Sequence, residues 1–294
     1  MRHTTTGLPI YTIQSKAEDF PEVLLHIPDP PARLYVQSAG WQGLLGRPWV
    51  AIVGSRKATG YGRAVTAQLA QELARAGLVV VSGLALGIDG IAHRAALEAG
   101  GLTVAVLGGG LDHIHPRAHQ PLAAQIVRSG GALISEYPVG SPVYPQNFIA
   151  RNRLVSGLSR GVIITEAAHK SGTLHTARFA LEQGRDVFAV PGQITSGSSA
   201  GTNTLIKSGA QLITGSEDVL QSFGLGTAAK NKPPPKGDTP QEQRLLDLLQ
   251  QGDHDGRELL AKSGLDVRIF NQSLTMLEIT GKIRSLGADL WSLP

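Results

Sequence analysis

The chain of 294 residues contains no cysteine. Disulfide bonds, thiolate nucleophiles and cysteine-ligated zinc are therefore excluded. No stretch reaches the roughly eighteen consecutive apolar residues that a membrane-spanning helix needs, and the opening MRHTTTGLPIYTIQ lacks the apolar core of a secretion signal. A cytoplasmic protein with no membrane partner is expected. There is no internal repeat. A strong surplus of one charge is also missing: the formal net charge is +4, but its distribution is uneven. Residues 41–224 hold fifteen Lys and Arg against ten Asp and Glu, and residues 240–294 hold six against eight. A basic centre suits nucleic acid or phosphorylated ligands.

The stretch Trp49 to Leu73, WVAIVGSRKATGYGRAVTAQLAQEL, is the most informative one present. An apolar run stops at Gly54, and after Gly60 and Gly62 the apolar residues Val65, Leu69 and Leu73 recur at helical spacing. The pattern predicts a buried strand, a glycine-rich turn and a helix. Amides at a helix N-terminus attract anions, and Arg56, Lys57 and Arg63 add fixed charge beside them. The turn matches neither the dinucleotide fingerprint nor the P-loop, since no Lys-Ser or Lys-Thr pair follows Gly60. Its glycines also have a purely geometric reading, as a tight turn.

The alternation continues down the chain. Buried strands are predicted at Leu78–Ser82, Leu102–Leu107, Ala132–Ser135, Val162–Thr165, Asp186–Val190 and Gln211–Ile213, with helices at Ile88–Ala99 and Leu174–Gln183. Continuous β-branched runs between helices imply an α/β fold, a Rossmann-like parallel sheet covered on both faces. Ligands of such sheets bind beyond the strand C-termini, so the polar residues after each strand should gather along one edge. Residues 1–40 read as an arm packed on this domain, with a short strand at Tyr11–Ile13 and a short helix at Ala17–Leu25. Residues 225–239, rich in Gly, Lys and Pro, read as a linker. In residues 240–294, helices at Thr239–Gln250, Asp255–Lys262 and Asp266–Ile279 precede a hairpin around Gly287, the outline of a winged helix.

Several constellations bear on chemistry. In Tyr144 to Ser159, YPQNFIARNRLVSGLS, Phe148 precedes Arg151 and Arg153 by three and five residues. An aromatic face with two guanidinium groups is how single strands are held, stacking being worth roughly 1–3 kcal/mol per base. The alternative is that Phe148 is core and the arginines form internal ion pairs with Glu136 or Glu166. Lys170-Ser171-Gly172-Thr173 opens a helix and offers either a second anion site or a simple N-cap. Lys207 is a further candidate charge. His113, His115 and His119 do not follow a recognised metal-ligand spacing, whereas Arg117 in the same loop suits a phosphate. Asp89, Asp112, Glu136 and Glu166 reach the expected sheet edge as acid–base candidates, but no nucleophile with an identifiable base accompanies them.

Taken together these residues resemble the DNA-processing protein A family (DprA, also called Smf). The resemblance runs from Asp29 to about Phe223 through IVGSR (Ile52–Arg56), SGLALGID (Ser82–Asp89), GGGLDHIHP (Gly108–Pro116) and SEYP (Ser135–Pro138). It continues through NFIARNRLVSGLS (Asn147–Ser159), KSGTLHTARFALEQGRDVFAVPG (Lys170–Gly192) and GTNTLIKSGA (Gly201–Ala210). It implies an extended Rossmann-like fold that binds single-stranded DNA, forms a homodimer through that domain and loads the RecA recombinase in natural transformation. The DNA-contacting set it implies, together with the charges singled out above, is Gly54, Ser55, Arg56, Lys57, Gly83, Arg117, Phe148, Arg151, Asn152, Arg153, Lys170, Ser171, Gly172 and Lys207. No catalytic residue, cofactor or metal is expected.

Three departures from the family pattern stand out. His115-Pro116 replaces a Tyr-Pro pair, Ile149 replaces the proline after the aromatic, and the N-terminal helix-hairpin domain of many members is not in this sequence. A dimer seam would draw on Leu174, Phe179, Leu181, Ile206, Leu212 and Ile213, which core packing explains equally well. The third winged helix carries Arg268 as its one basic residue. A duplex reader neutralises several phosphates, so this domain is expected to contact protein rather than duplex. The rival class is a lysine-decarboxylase-like phosphoribohydrolase, whose P-G-G-x-G-T-x-x-E motif is missing: Pro191-Gly192 runs into Gln193-Ile194.

Overall fold

A computed structural model describes residues 8–225, 235–287 and 289–293. The chain divides into two compact units, residues 1–227 and 228–294. The first begins with β1 (Tyr11–Gln14), a 3-10 turn at Glu22–Leu24, β2 (Arg33–Ser38) and α1 (Trp41–Leu45). It continues with β3 (Trp49–Gly54), α2 (Gly60–Arg75), β4 (Val79–Ser82), α3 (Ile88–Glu98), β5 (Thr103–Val106), α4 (Gln120–Arg128) and β6 (Ala132–Ser135). It closes with α5 (Pro145–Gly157), β7 (Gly161–Glu166), α6 (Thr173–Glu182), β8 (Asp186–Ala189), α7 (Ala200–Lys207), β9 (Gln211–Leu212) and α8 (Ser216–Ser222).

The nine strands form one sheet in the order β1-β2-β6-β5-β4-β3-β7-β8-β9. From β6 to β9 every pairing is parallel, while β1 and β2 add an antiparallel edge. The segment expected as an arm thus contributes two strands to the sheet itself: Tyr35 sits in register with Ser135 and Val36 with Ile134. Of the helix expected at Ala17–Leu25, the 3-10 turn is what forms.

The period-two alternation of strand side chains divides the core between the two faces. Trp49, Ala51 and Val53 of β3 join Val79, Val81, Val104 and Val106 beneath α1, α5 and α6. Val50, Ile52 and Val80 face the other way, onto Leu69 and Leu73 of α2 and Ile88 of α3. Burying a side chain of this size contributes about 1.5–3 kcal/mol, and Ile52, Leu73 and Ile88 are each at 0% exposure. Both strand faces are dry, which is why these strands read as unbroken apolar runs.

The second unit holds α9 (Pro240–Gln250), α10 (Gly256–Ser263), α11 (Val267–Ile279) and the hairpin β10 (Arg284–Gly287) and β11 (Leu290–Ser292). This is the winged-helix arrangement, closed around Leu245, Leu246, Leu249, Leu259, Phe270, Leu274 and Leu277. Residues 226–234 of the expected linker lie outside the described residues.

Candidate nucleic-acid interface

The sheet order reverses between β3 and β7, because β4 follows β3 on one side while β7 flanks it on the other. Loops leaving adjacent strands in opposite directions open a crevice at such a point. A cavity of about 660 Å³ lies there, lined by Gly54 to Lys57 after β3, Gly83, Ala85 and Asp89 after β4, and Ala168 and Ser171 to Thr173 after β7. Most of its remaining wall is one face of α5, which presents Pro145, Phe148, Ile149, Arg151, Asn152 and Val155, with Val53 of β3 and Thr176 of α6 completing it. A smaller recess continues from it past Leu86, His115 and Pro116.

The segment Tyr144 to Ser159, in which the sequence places an aromatic ring and two guanidinium groups close together, holds a thirteen-residue helix with Pro145 in its first turn. Proline suits that position because its missing N–H has no helical partner there. Helical spacing puts Phe148, Arg151 and Asn152 on one side and turns Arg153 away. Arg153 does not line the cavity. Its guanidinium forks onto Glu136, with Nη1 to Oε1 at 2.8 Å and Nη2 to Oε2 at 2.7 Å, and its Nε reaches Asp29 at 2.7 Å. Burial alone would lower its pKa, but the bonds and charge of Glu136 and Asp29 outweigh that and raise it. Arg153 thus makes the internal ion pair with Glu136 that was the alternative to a DNA contact, and it stands apart from the other members of the expected set that line the cavity.

Arg151 is also buried, at 4% exposure, yet it borders the cavity. Its Nη1 donates to the carbonyls of Gly83, at 2.8 Å, and Val106, tying α5 to the ends of β4 and β5. Nε donates to Asn152 Oδ1 at 3.2 Å. Burial pulls its pKa down to about 10, Asp89 opposing the change and Arg56 adding to it, so it stays charged near neutrality. Asp89 accepts the Gly83 amide at 3.0 Å and the Ala85 amide at 3.4 Å. Burial raises its pKa against the pull of Arg151 and those amides. Its task is to fix the loop after β4, which leaves it poorly placed as a free base.

Arg56 and Lys57 are exposed and form no ion pair among the described residues. The Arg56 guanidinium lies over the Phe148 ring at 5.8 Å, and His115 meets the same ring at 5.4 Å. Thr173 Oγ1 donates to the Gly54 carbonyl at 3.0 Å and ties the loops after β3 and β7 together. Thr173 and Ile149 were absent from the predicted set. Thr173 follows Lys170-Ser171-Gly172 directly in the chain, and Ile149 stands where the family pattern has proline.

The remaining predicted charges fall elsewhere. Lys170 is exposed on the loop that carries Ser171, outside the cavity lining. Arg117 is exposed in a 3-10 turn, and it is its neighbours His115 and Pro116 that reach the recess. Lys207 ends α7, which returns the chain to the start of β9; since β9 runs parallel to β8, Lys207 stands at the opposite edge of the sheet from the cavity. The anion reading of the turn at Gly54 also changes. The N-terminus of α2 is capped by Thr59, whose Oγ1 accepts the Gly62 amide at 3.1 Å, while Glu166 Oε2 accepts the Thr59 amide at 3.0 Å.

His113 pairs with Asp112 at 3.0 Å, His119 is buried with Nδ1 2.9 Å from the Leu84 carbonyl, and His115 sits against Phe148. Among the described residues no group of three His, Asp or Glu converges as metal ligands would, and no helix is long and apolar enough to cross a membrane. Residues 197–201, GSSAG, spell G-x-S-x-G, but Ser199 is 5% exposed and opens α7 rather than a strand-to-helix elbow.

Residues 11–224 match the family model of DNA recombination-mediator protein A, and residues 229–289 that of the DprA winged helix domain. Protein Smf of Escherichia coli is 47% identical over 216 residues, 74% of this chain and 57% of that protein. The DNA processing protein DprA of Bacillus subtilis is 42% identical over 214 residues, 73% of this chain and 71% of its own length. Measured against the Escherichia coli relative, the chain therefore spans little more than half. The X-ray structure of DNA processing protein A from Streptococcus pneumoniae is 42% identical, with a TM-score of 0.67 over 72% of this chain and 74% of that one. A structure of the Helicobacter pylori DNA processing protein A, described by its unique single-stranded DNA binding mode, is 34% identical, with a TM-score of 0.67 over 75% and 98%.

Proposed function

The chain belongs to the DNA recombination-mediator protein A family, also named DprA or Smf, and from that premise we propose that it binds single-stranded DNA as a recombination mediator. In this reading it protects incoming DNA and loads RecA during natural transformation, in the cytoplasm and without catalysing a reaction of its own. The observation that carries the DNA-binding part is the cavity wall itself. Arg56 and Lys57, free of carboxylate partners among the described residues, stand beside the half-buried ring of Phe148. Cations for the backbone and an aromatic face for a base are what a sequence-tolerant single-strand binder requires. A base entering the site takes the place of Arg56 or His115 against the ring, and the displaced Arg56 turns to the adjoining phosphate.

The mediator part follows from the family. A homodimer through the main unit belongs to the same proposal, with Leu181 at 63% and Leu212 at 46% exposure available to a seam. Ile213, at 0%, belongs to the core and drops out of that seam. Exposed Val267, Ile269, Met276 and Ile279 on α11 favour a protein contact over duplex binding for the winged helix.

Anisotropy titration of a thymidine homopolymer and of a duplex across a salt series tests the reading. Tight, salt-sensitive binding of the homopolymer and weak binding of the duplex are expected; equal affinity for both would overturn it. Faster assembly of RecA on oligonucleotides coated with single-strand-binding protein tests the loading step, and sedimentation at micromolar concentration tests the dimer. Release of base from nucleoside monophosphates would replace the proposal by the phosphoribohydrolase class.

A further inference from the structure

The carboxylate of Glu166 lies where this type of fold ordinarily seats a ligand's phosphate. In doubly wound sheets the helix after the strand at the switch point turns its N-terminus to the ligand's diphosphate. Here that helix is α2, sixteen residues long, and its N-terminus is already taken. Glu166 ends β7, the strand beside β3. Its Oε2 accepts the Thr59 amide at 3.0 Å, and its own carbonyl accepts the Ser55 amide at 2.8 Å. The loop from Ser55 to Thr59 is thus held at both ends by one residue.

Three further observations show that the carboxylate is built in. Glu166 is 2% exposed, its Oε1 has no hydrogen-bond partner, and no cation pairs with it among the described residues. A buried carboxylate without a counter-ion is costly, and the amide and dipole of α2 are what compensate it. Room for it comes from Gly62 in the first turn of α2, where any Cβ would collide with Oε2.

We propose that Glu166 is a specificity-determining residue: an internal anion that fills the phosphate seat of α2, so that the neighbouring cavity rejects free nucleotide diphosphates and takes phosphate only along its Arg56 and Lys57 side. The second half rests on the nucleic-acid reading above; the exclusion does not. A diphosphate at α2 would bring like charges within a few ångströms in a site screened far less than bulk water.

Calorimetric titration of inorganic pyrophosphate and of ADP into the full chain, Glu166→Gln and Glu166→Ala tests this, with the homopolymer titrated in parallel and circular dichroism reporting the fold. Glu166→Gln keeps the shape and the Thr59 bond but removes the charge. It is expected to bind pyrophosphate at least about tenfold more tightly than the wild type, and Glu166→Ala more tightly again. Equal pyrophosphate affinity in the wild type and folded Glu166→Gln overturns the proposal, even if Glu166→Ala does not fold. Loss of the homopolymer result with gain of pyrophosphate binding in the variants would remove the nucleic-acid reading and leave this one standing. Homopolymer binding without that gain would do the reverse.

Discussion

Arg153 and Glu136 face each other fork to fork, two parallel N–H···O bonds of 2.8 and 2.7 Å joining α5 to the residue after β6. The Glu136 side chain is 19% exposed and that of Arg153 10%, whereas Asp29, the third member, is 77% exposed. The Asp29 arm therefore adds little, and the Glu136 arm is the structural one. Removing the arginine strands a shielded carboxylate, so Arg153→Ala is expected to cost about 3–5 kcal/mol in urea unfolding. The salt dependence of oligonucleotide binding by whatever fraction stays folded should not move.

Arg56 and Lys207 are both exposed cations, and the fold separates them. Arg56→Ala should weaken homopolymer binding at every sequence and make the log–log salt slope shallower by about 0.7 to 1 unit, the release of one phosphate contact. Lys207→Ala, at the other edge of the sheet, should leave affinity and slope unchanged. Parallel anisotropy titrations of both variants at several salt concentrations check the pair.

Gly83 has no room for a side chain: a Cβ there would lie 2.6 Å from Arg151 Nη2 and 2.7 Å from its Cζ. The guanidinium cannot swing away without giving up the Gly83 and Val106 carbonyls. Gly83→Ala is expected to destabilise by about 1–3 kcal/mol, the usual cost of overpacking. Combined with Arg151→Lys, which removes the colliding fork, it should cost less than the sum of the two single changes. Thermal unfolding of the four proteins measures that coupling.

His93 sets an acid limit on stability. Its Nδ1 lies 2.7 Å from Thr103 Oγ1, and that hydroxyl gives its single proton to the Val80 carbonyl at 2.6 Å. Nδ1 must then be the donor, which leaves Nε2 as a buried lone pair with no partner. Burial first, and then the charges of His119, Arg151 and Arg94, push the His93 pKa down to about 3. Between that value and the ordinary 6.5 the unfolded chain binds the extra proton, so stability falls as pH falls through this window. The His93 contribution lost by pH 5 is about 2 kcal/mol. His93→Gln should flatten the decline in urea midpoints between pH 7 and pH 5; an unchanged decline would assign it to other groups.

Much of the architecture was legible in the chain. Strands such as Ala132–Ser135 announce themselves because both faces of a parallel sheet are dry, and the three helices of the second unit because each carries one apolar stripe. The segment around Arg151 was not legible as a helix. Its buried residues include Asn147, Arg151, Arg153 and Ser156, and arginines buried against partners remote in the chain leave no apolar period to read.

By itself the sequence determined the alternation of strands and helices, the gathering of glycine loops at one sheet edge, and the family through motifs in fixed order. Tertiary structure alone decided which charges are free. Arg56 and Arg153 are the same residue in similar basic surroundings, yet one is solvent-facing over an aromatic ring and the other is spent on Glu136. The N-terminus of α2 reads as an open anion site until β7 brings a carboxylate to it from more than a hundred residues away. Composition and spacing record which groups exist; the pairing of charges depends on where the fold closes, because an ion pair is a short-range contact between elements remote in sequence.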